Sequence, residues 1–193
     1  MNARSLAGFA LLLLSLSGLA YSVRTAVSYA EYRSAKYGHA SENPQAVLAL
    51  CREAAALYPF NYRLCELAAM TAFYGADALP PAEARRMRDA SKAWCGRGLV
   101  LDRYQRRLRW LAAQFLLEDS PARAAAYWKE YVDWDFWFPF NHGFLAELYA
   151  KAGDFTNAEK ALSWAAGSEF EAHARAIIDA ERASRTGAPA TAP

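Results

Sequence analysis

Leu108-Arg109-Trp110-Leu111-Ala112-Ala113-Gln114-Phe115 returns 34 residues later as His142-Gly143-Phe144-Leu145-Ala146-Glu147-Leu148-Tyr149. The next segment repeats as well: Ala124 and Trp128 come back as Ala158 and Leu162, with Asp119-Ser120 and Gly153-Asp154 at the turns. Apolar residues three and four apart describe one face of a helix, so the period reads as two helices joined by a short turn. Such a unit cannot bury its apolar face alone and needs neighbours of the same kind.

The clearest copy covers residues 142–166. Leu145-Ala146-x-x-Tyr149, Gly153-Asp154, then Ala158-x-x-x-Leu162-x-x-Ala165 runs large, small, aromatic, turn, small, large, small. Ala146, Ala158 and Ala165 let helix backbones approach closely, while Leu145, Tyr149 and Leu162 fill the gaps. This order resembles the tetratricopeptide repeat. It departs from that pattern at His142, where Trp is usual, at Leu162, where an aromatic is usual, and at Phe170, where Pro is usual. The resemblance implies an all-α solenoid of about four helical pairs with a C-terminal capping helix, and the task of binding other chains.

Weaker copies extend it over residues 24–186. Val47-x-x-x-Cys51-x-x-Ala54, closed by Pro59, reads as the second helix of a first pair. Leu64-x-x-Leu67-Ala68 lies 44 residues before Leu108-x-x-Leu111-Ala112, and the surplus is assigned to the Gly75–Pro81 loop, where prolines and glycine break helix. Start signals stand at Asn43-Pro44, Asn61, Asp102 with Gln105, Ser120-Pro121, and Ser168 with Glu171. The expected pairs are 24–37/44–57, 62–75/81–98, 104–118/121–133 and 141–152/155–166, with a cap at 169–184. Ala112 and Ala146 should be buried between helices. The tail from Arg185, and 187–193 above all, has no apolar periodicity and is expected to be disordered.

Residues 5–23 carry no charge and are bounded by Arg4 and Arg24. Nineteen helical residues span roughly 28 Å, the hydrocarbon thickness of a bilayer. A retained anchor is the favoured reading, and a signal peptide cleaved after Gly18-Leu19-Ala20 is its rival. No breaker is read in the segment from Arg24 to His39, so the anchor helix can run into the first repeat helix. Arg24, Arg33 and Lys36 after the span, against Arg4 before it, favour a cytoplasmic repeat domain. The export-like N-terminus favours a periplasmic one, which is the reading taken, with the chain as a single-pass protein of the inner membrane. Ser15, Gly18 and Ser22 form a strip for packing another transmembrane helix; a chance run of small residues is the alternative.

Catalytic chemistry is hard to find. His39, His142 and His173 are far apart, and no Gly-rich phosphate loop, GxSxG or HxxxH occurs. A non-enzymatic role follows, with no cofactor, metal or small-molecule substrate. Cys51, Cys65 and Cys95 lack metal spacing. They read as small buried apolar residues, with a disulfide from Cys65 to Cys51 or Cys95 as competitor in an exported domain.

The net charge is only +2, but it is unevenly distributed. Nine basic residues (Arg85, Arg86, Arg88, Lys92, Arg97, Arg103, Arg106, Arg107, Arg109) face three acids between Glu83 and Arg109. This is a basic face for headgroups, an anionic polymer or an acidic partner, or else an ordinary solvated helix surface. Few aromatics interleave it, which argues against nucleic acid.

Six aromatics crowd the eleven residues Trp134–Phe144, at the join of two repeats. Tyr58-Pro59-Phe60-Asn61 is a shorter version. Phe140 is expected to pack as Phe60 does, leaving Trp134, Phe136 and Trp137 as core filling or as a docking site. Asp133 and Asp135 alternate with Trp134 and Phe136, which implies one wet face.

Two functions fit: an anchored scaffold or accessory subunit binding protein in an integral membrane complex, or a recognition module for an anionic glycan or lipid in polysaccharide assembly.

Overall fold

The computed structural model describes residues 3–38 and 42–186, with side chains from Phe9 onward. Every regular element among them is helical: α1 Ala3–Tyr37, α2 Pro44–Leu57, α3 Tyr62–Gly75, α4 Pro81–Leu101, α5 Arg106–Asp119, α6 Pro121–Trp134, α7 Pro139–Ala152, α8 Phe155–Ser163 and α9 Glu169–Thr186. Residues 187–193, expected as a disordered tail, and His39 lie outside the described residues.

Local chemistry sets the helix ends. Asn43 accepts from the amides of Gln45 and Ala46, Asn61 from Arg63, Ser120 from Arg123, and Asp154 from Asn157. Each bond satisfies a first-turn N–H that has no partner within the helix. Asp102 proves to close α4, and Gln105 caps α5 by accepting from the Leu108 amide. Before α9, Ser168 Oγ accepts from the Phe170 amide while Glu171 reaches back to the Gly167 amide at 2.7 Å. The end of α7 needs Gly153 at φ 82°, a left-handed turn that a Cβ disfavours. Arg185 and Thr186 were expected in the tail but are helical. Arg185 donates to the Lys151 carbonyl at 2.8 Å, which holds the last turn of α9 to the end of α7.

The 44-residue repeat is explained mainly by a longer helix, not by a loop. α4 has 21 residues against 14 in α6, and the connection before it grows from Ser120 alone to residues 76–80, which include a short 3-10 turn.

The chain forms two compact units, one up to Arg103 and one from Tyr104. In the first, α1 packs on α2, α2 on α3, and α3 on α4. The core holds Val47, Leu48, Leu64 and Met87 around the fully buried Ala54, Ala68 and Ala72. Two buried hydroxyls bridge helices at these close approaches: Ser28 donates to the Ala54 carbonyl at 2.8 Å and Ser91 to that of Ala69 at 2.7 Å. Cys51, Cys65 and Cys95 are buried thiols, so the reading as small core residues describes them. Burial pushes the Cys51 thiol up to about 12 and also raises Cys65.

α1 is continuous from the apolar segment into the part that packs on α2. From Phe9 to Arg24 every side chain is exposed. Contact begins where Tyr21 meets Tyr58 edge-on, and Arg24 donates to the Ala56 carbonyl at 3.3 Å. The stretch Phe9–Tyr37 is long and apolar enough to cross a membrane.

In the second unit α7 is flanked by α6, α8 and α9, while α5 lies against α6 and α8 against α9. Ala146, at the centre of α7, is fully buried. Ala112 is only half-buried, contrary to expectation, and Ala113 is the enclosed residue. α5 has its main neighbour, α6, along one side, whereas α7 is surrounded. Complete burial of a residue such as Leu148 or Ile178 stabilises by about 1.5–3 kcal/mol.

Candidate partner-binding surface

α6 stops at Trp134 because Asp135 leaves helical geometry (φ −114°, ψ 63°) and Phe138, preceding a proline, is extended. Residues 135–138 form the join, and buried polar groups hold it. The Asn141 amide donates to the Asp135 carbonyl at 2.7 Å and to its carboxylate at 3.0 Å. The Tyr131 hydroxyl donates to that carboxylate at 3.3 Å, and His142 Nε2 lies 2.6 Å from the Phe136 carbonyl. Burial first, then the nearby Asp135 charge, pushes Tyr131 up to about 12, so it remains a donor at neutral pH. Asp135 is therefore an internal fastener. The expected wet face is carried by Asp133, which is exposed and pairs with Lys129 at 2.6 Å, and Asp135 does not share it.

The aromatics divide by depth. Beneath the join, Trp128 is fully buried, donates from Nε1 to the Asn141 carbonyl at 2.9 Å, and meets Phe144 edge-on at 5.0 Å. Phe140 is half-buried against Trp128, Phe144 and Phe170, whereas Phe60 is exposed, so the expected parallel fails. Trp134 stacks on Tyr104 with centroids 4.4 Å apart. Phe136 sits between His142 and Trp164, both at 4.8 Å, and touches Trp137 at 5.4 Å. Trp137 is 88% exposed; Trp134 and Trp164 are each 56% exposed.

Of the three residues singled out by sequence, the fold brings Phe136 and Trp137 together and adds Trp164, which sequence reasoning missed. Its only signal was a tryptophan next to Ala165, just beyond a helix that presents mostly small or polar residues outward. Beside this cluster lies a cleft of about 210 Å³, lined by Lys129, Asp133, His142, Tyr149, Lys160 and Trp164 among others.

The arginines do not form one site within either unit. Arg85 and Arg86 are exposed on α4; Arg88, on the same helix, pairs with Asp77 at 3.3 Å. Arg103 is exposed at the end of the first unit. Arg106 and Arg107 belong to α5 in the second, where Arg106 lies over the Phe138 ring at 4.2 Å. Arg109 leaves the basic face altogether: it is 5% exposed, lies over the Tyr127 ring at 4.2 Å and donates to the Tyr127 carbonyl at 3.1 Å. Arg86 and Arg52 line a cleft of about 620 Å³ in the first unit, with Gln45 and Glu83.

On α1, the Ser15 and Ser22 hydroxyls donate back to the Leu11 and Gly18 carbonyls, both at 2.9 Å. A Cβ on Gly18 would meet nothing within 4 Å, so the strip is open. Among the described residues no cluster of three or more metal-binding side chains occurs. Compared with known protein families, with curated proteins and with solved structures, the chain matches none.

Proposed function

We propose that this is a non-catalytic, membrane-anchored scaffold or accessory subunit of tetratricopeptide type. It docks a protein partner of a larger membrane complex through Phe136, Trp137 and Trp164. The observation that carries the reading is Trp137: a tryptophan 88% exposed beside Phe136, which Trp164 also meets, on a join fastened by the buried side chains of Asn141 and His142. Exposed apolar side chains gain most when a partner covers them, and rigid aromatics lose little entropy in doing so. The helix pairs and the buried alanines at their close approaches support the repeat assignment. The exposed apolar stretch of α1 supports retention in the membrane through residues 5–23, and the export-like N-terminus supports a periplasmic repeat domain.

Purification in mild detergent tests this. A partner held by the full chain should be lost from Trp137→Ala and Trp164→Ala, each weakening binding by ~2 kcal/mol or more, roughly 30-fold. Unchanged co-purification from both variants would end the docking assignment. Carbonate extraction should leave the chain in the membrane pellet, and recovery of a native chain starting at Tyr21 would establish a cleaved signal peptide instead.

A second reading, recognition of an anionic glycan or lipid, is favoured by the Arg52–Arg86 cleft. Glu83 in the same lining weakens it. Charge reversal at Arg86 that abolishes binding to anionic vesicles would support this reading.

A further inference from the structure

The second unit holds another cleft, of about 340 Å³, between α5, α7 and α9, distinct in its lining from the aromatic join. Three phenylalanines and a tryptophan form its walls. Phe140 stacks on Phe144 at 6.1 Å and meets Phe170 edge-on at 5.4 Å, and Trp110 lies 6.3 Å from Phe144. Among these rings stand the Gln114 amide and the Glu147 carboxylate. The Glu147 side chain is only 16% exposed, and His173 Nε2, on the exposed rim, is 3.5 Å from Oε1. Burial pushes the Glu147 carboxyl above the ordinary glutamate value, partly offset by His173 and Lys151. Lys151 is also 3.9 Å from Glu181.

Ring faces carry negative potential, and a partly desolvated carboxylate adds a full charge to the same cavity. Such a lining attracts an organic cation and rejects an anion. We propose that the cleft receives a lysine side chain from the protein partner, its methylenes against the rings and its ammonium at Glu147 and Gln114. Lysine fits better than arginine because His173 stands at Oε1, leaving Oε2 for a point charge and no open fork for a bidentate guanidinium. The proposal rests on the protein-binding reading above but concerns a different surface.

The test uses the full chain in detergent micelles, labelled with 5-fluorotryptophan, which gives one fluorine resonance for each of the six tryptophans. The Trp110 resonance is assigned with Trp110→Phe. Acetyl-Gly-Lys-Gly-amide should shift it saturably at millimolar concentration and leave Trp137 unmoved. Glu147→Gln, or acetylation of the peptide's lysine, should weaken binding about tenfold or more. His173→Gln removes the rim group that stands 3.5 Å from the Glu147 carboxylate and should tighten binding. The Trp128 resonance reports whether each variant is folded. Absence of a saturable shift overturns the proposal, as does equal binding of the acetylated peptide. A Glu147→Gln variant that binds as wild type does the same, and if that variant does not fold, unchanged affinity in His173→Gln decides against it. A response to choline alone would assign the cleft to a lipid headgroup and likewise overturn it. Because the titration needs no partner, its failure is distinct from that of the docking face, which Trp137→Ala co-purification reads separately.

Discussion

Replacing Trp137 by alanine should barely change stability, whereas the same change at Trp128 should be severe. Trp137 is 88% exposed, so only about a tenth of a ~250 Å² indole, roughly 30 Å², is removed from water. At ~25 cal/mol per Å² this amounts to ~0.75 kcal/mol. Trp128 is fully buried against Tyr131, Phe140 and Phe144. Its truncation leaves a cavity and costs ~3–5 kcal/mol. For a helical unit of this size, ~4–8 °C of Tm corresponds to each kcal/mol. Trp137→Ala should therefore lower Tm by no more than ~6 °C, and Trp128→Ala by more than ~12 °C. The assay is circular dichroism at 222 nm during heating, with all proteins in the same detergent. A drop above ~10 °C for Trp137→Ala would refute the reasoning: that ring would then be core, and the docking face would fail with it.

Ala146→Leu should overpack the fully buried centre of α7 and cost ~1–3 kcal/mol, read in the same melts; wild-type stability would mean that α7 is not closely surrounded. Glu147 gives a pH dependence. Its folded pKa is raised above the ordinary 4.5, so the folded state binds more protons, and stability should fall as pH rises from 4.5 through the folded value. Glu147→Gln should flatten that decline in denaturant titrations, and an unchanged profile would show that the carboxylate is not desolvated. Burial raises the Cys51 and Cys65 thiols, Cys51 to about 12, and Cys95 is also buried. Iodoacetamide at pH 8 should therefore label none of the three until denaturant is added, and rapid labelling of the native chain would contradict the buried core.

The sequence by itself determined the helices. Asn43, Asn61, Ser120 and Ser168 with Glu171 announce starts, prolines occupy first turns, and Gly153-Asp154 announces a turn. All of these act through hydrogen bonds within a few residues, so they are visible in one dimension. The continuity of α1 was legible for the same reason, since nothing breaks the backbone between Arg24 and Tyr37.

Exposure was not legible, because it depends on neighbours distant in the chain. Trp128 and Trp137 are both tryptophans close to one join, yet one is enclosed by Phe140 and Phe144 from the following helix and the other projects outward. Trp164 enters the cluster only because α8 brings it to Phe136, 28 residues earlier. Arg109 looked like one of nine solvated cations until Tyr127, a full helix away, covered it. Asp135 looked wet until Asn141 and Tyr131 reached it. Cap chemistry and periodicity are local properties of the chain. Which side chains stay in contact with water is decided by packing between helices, and the candidate binding surfaces consist of those residues.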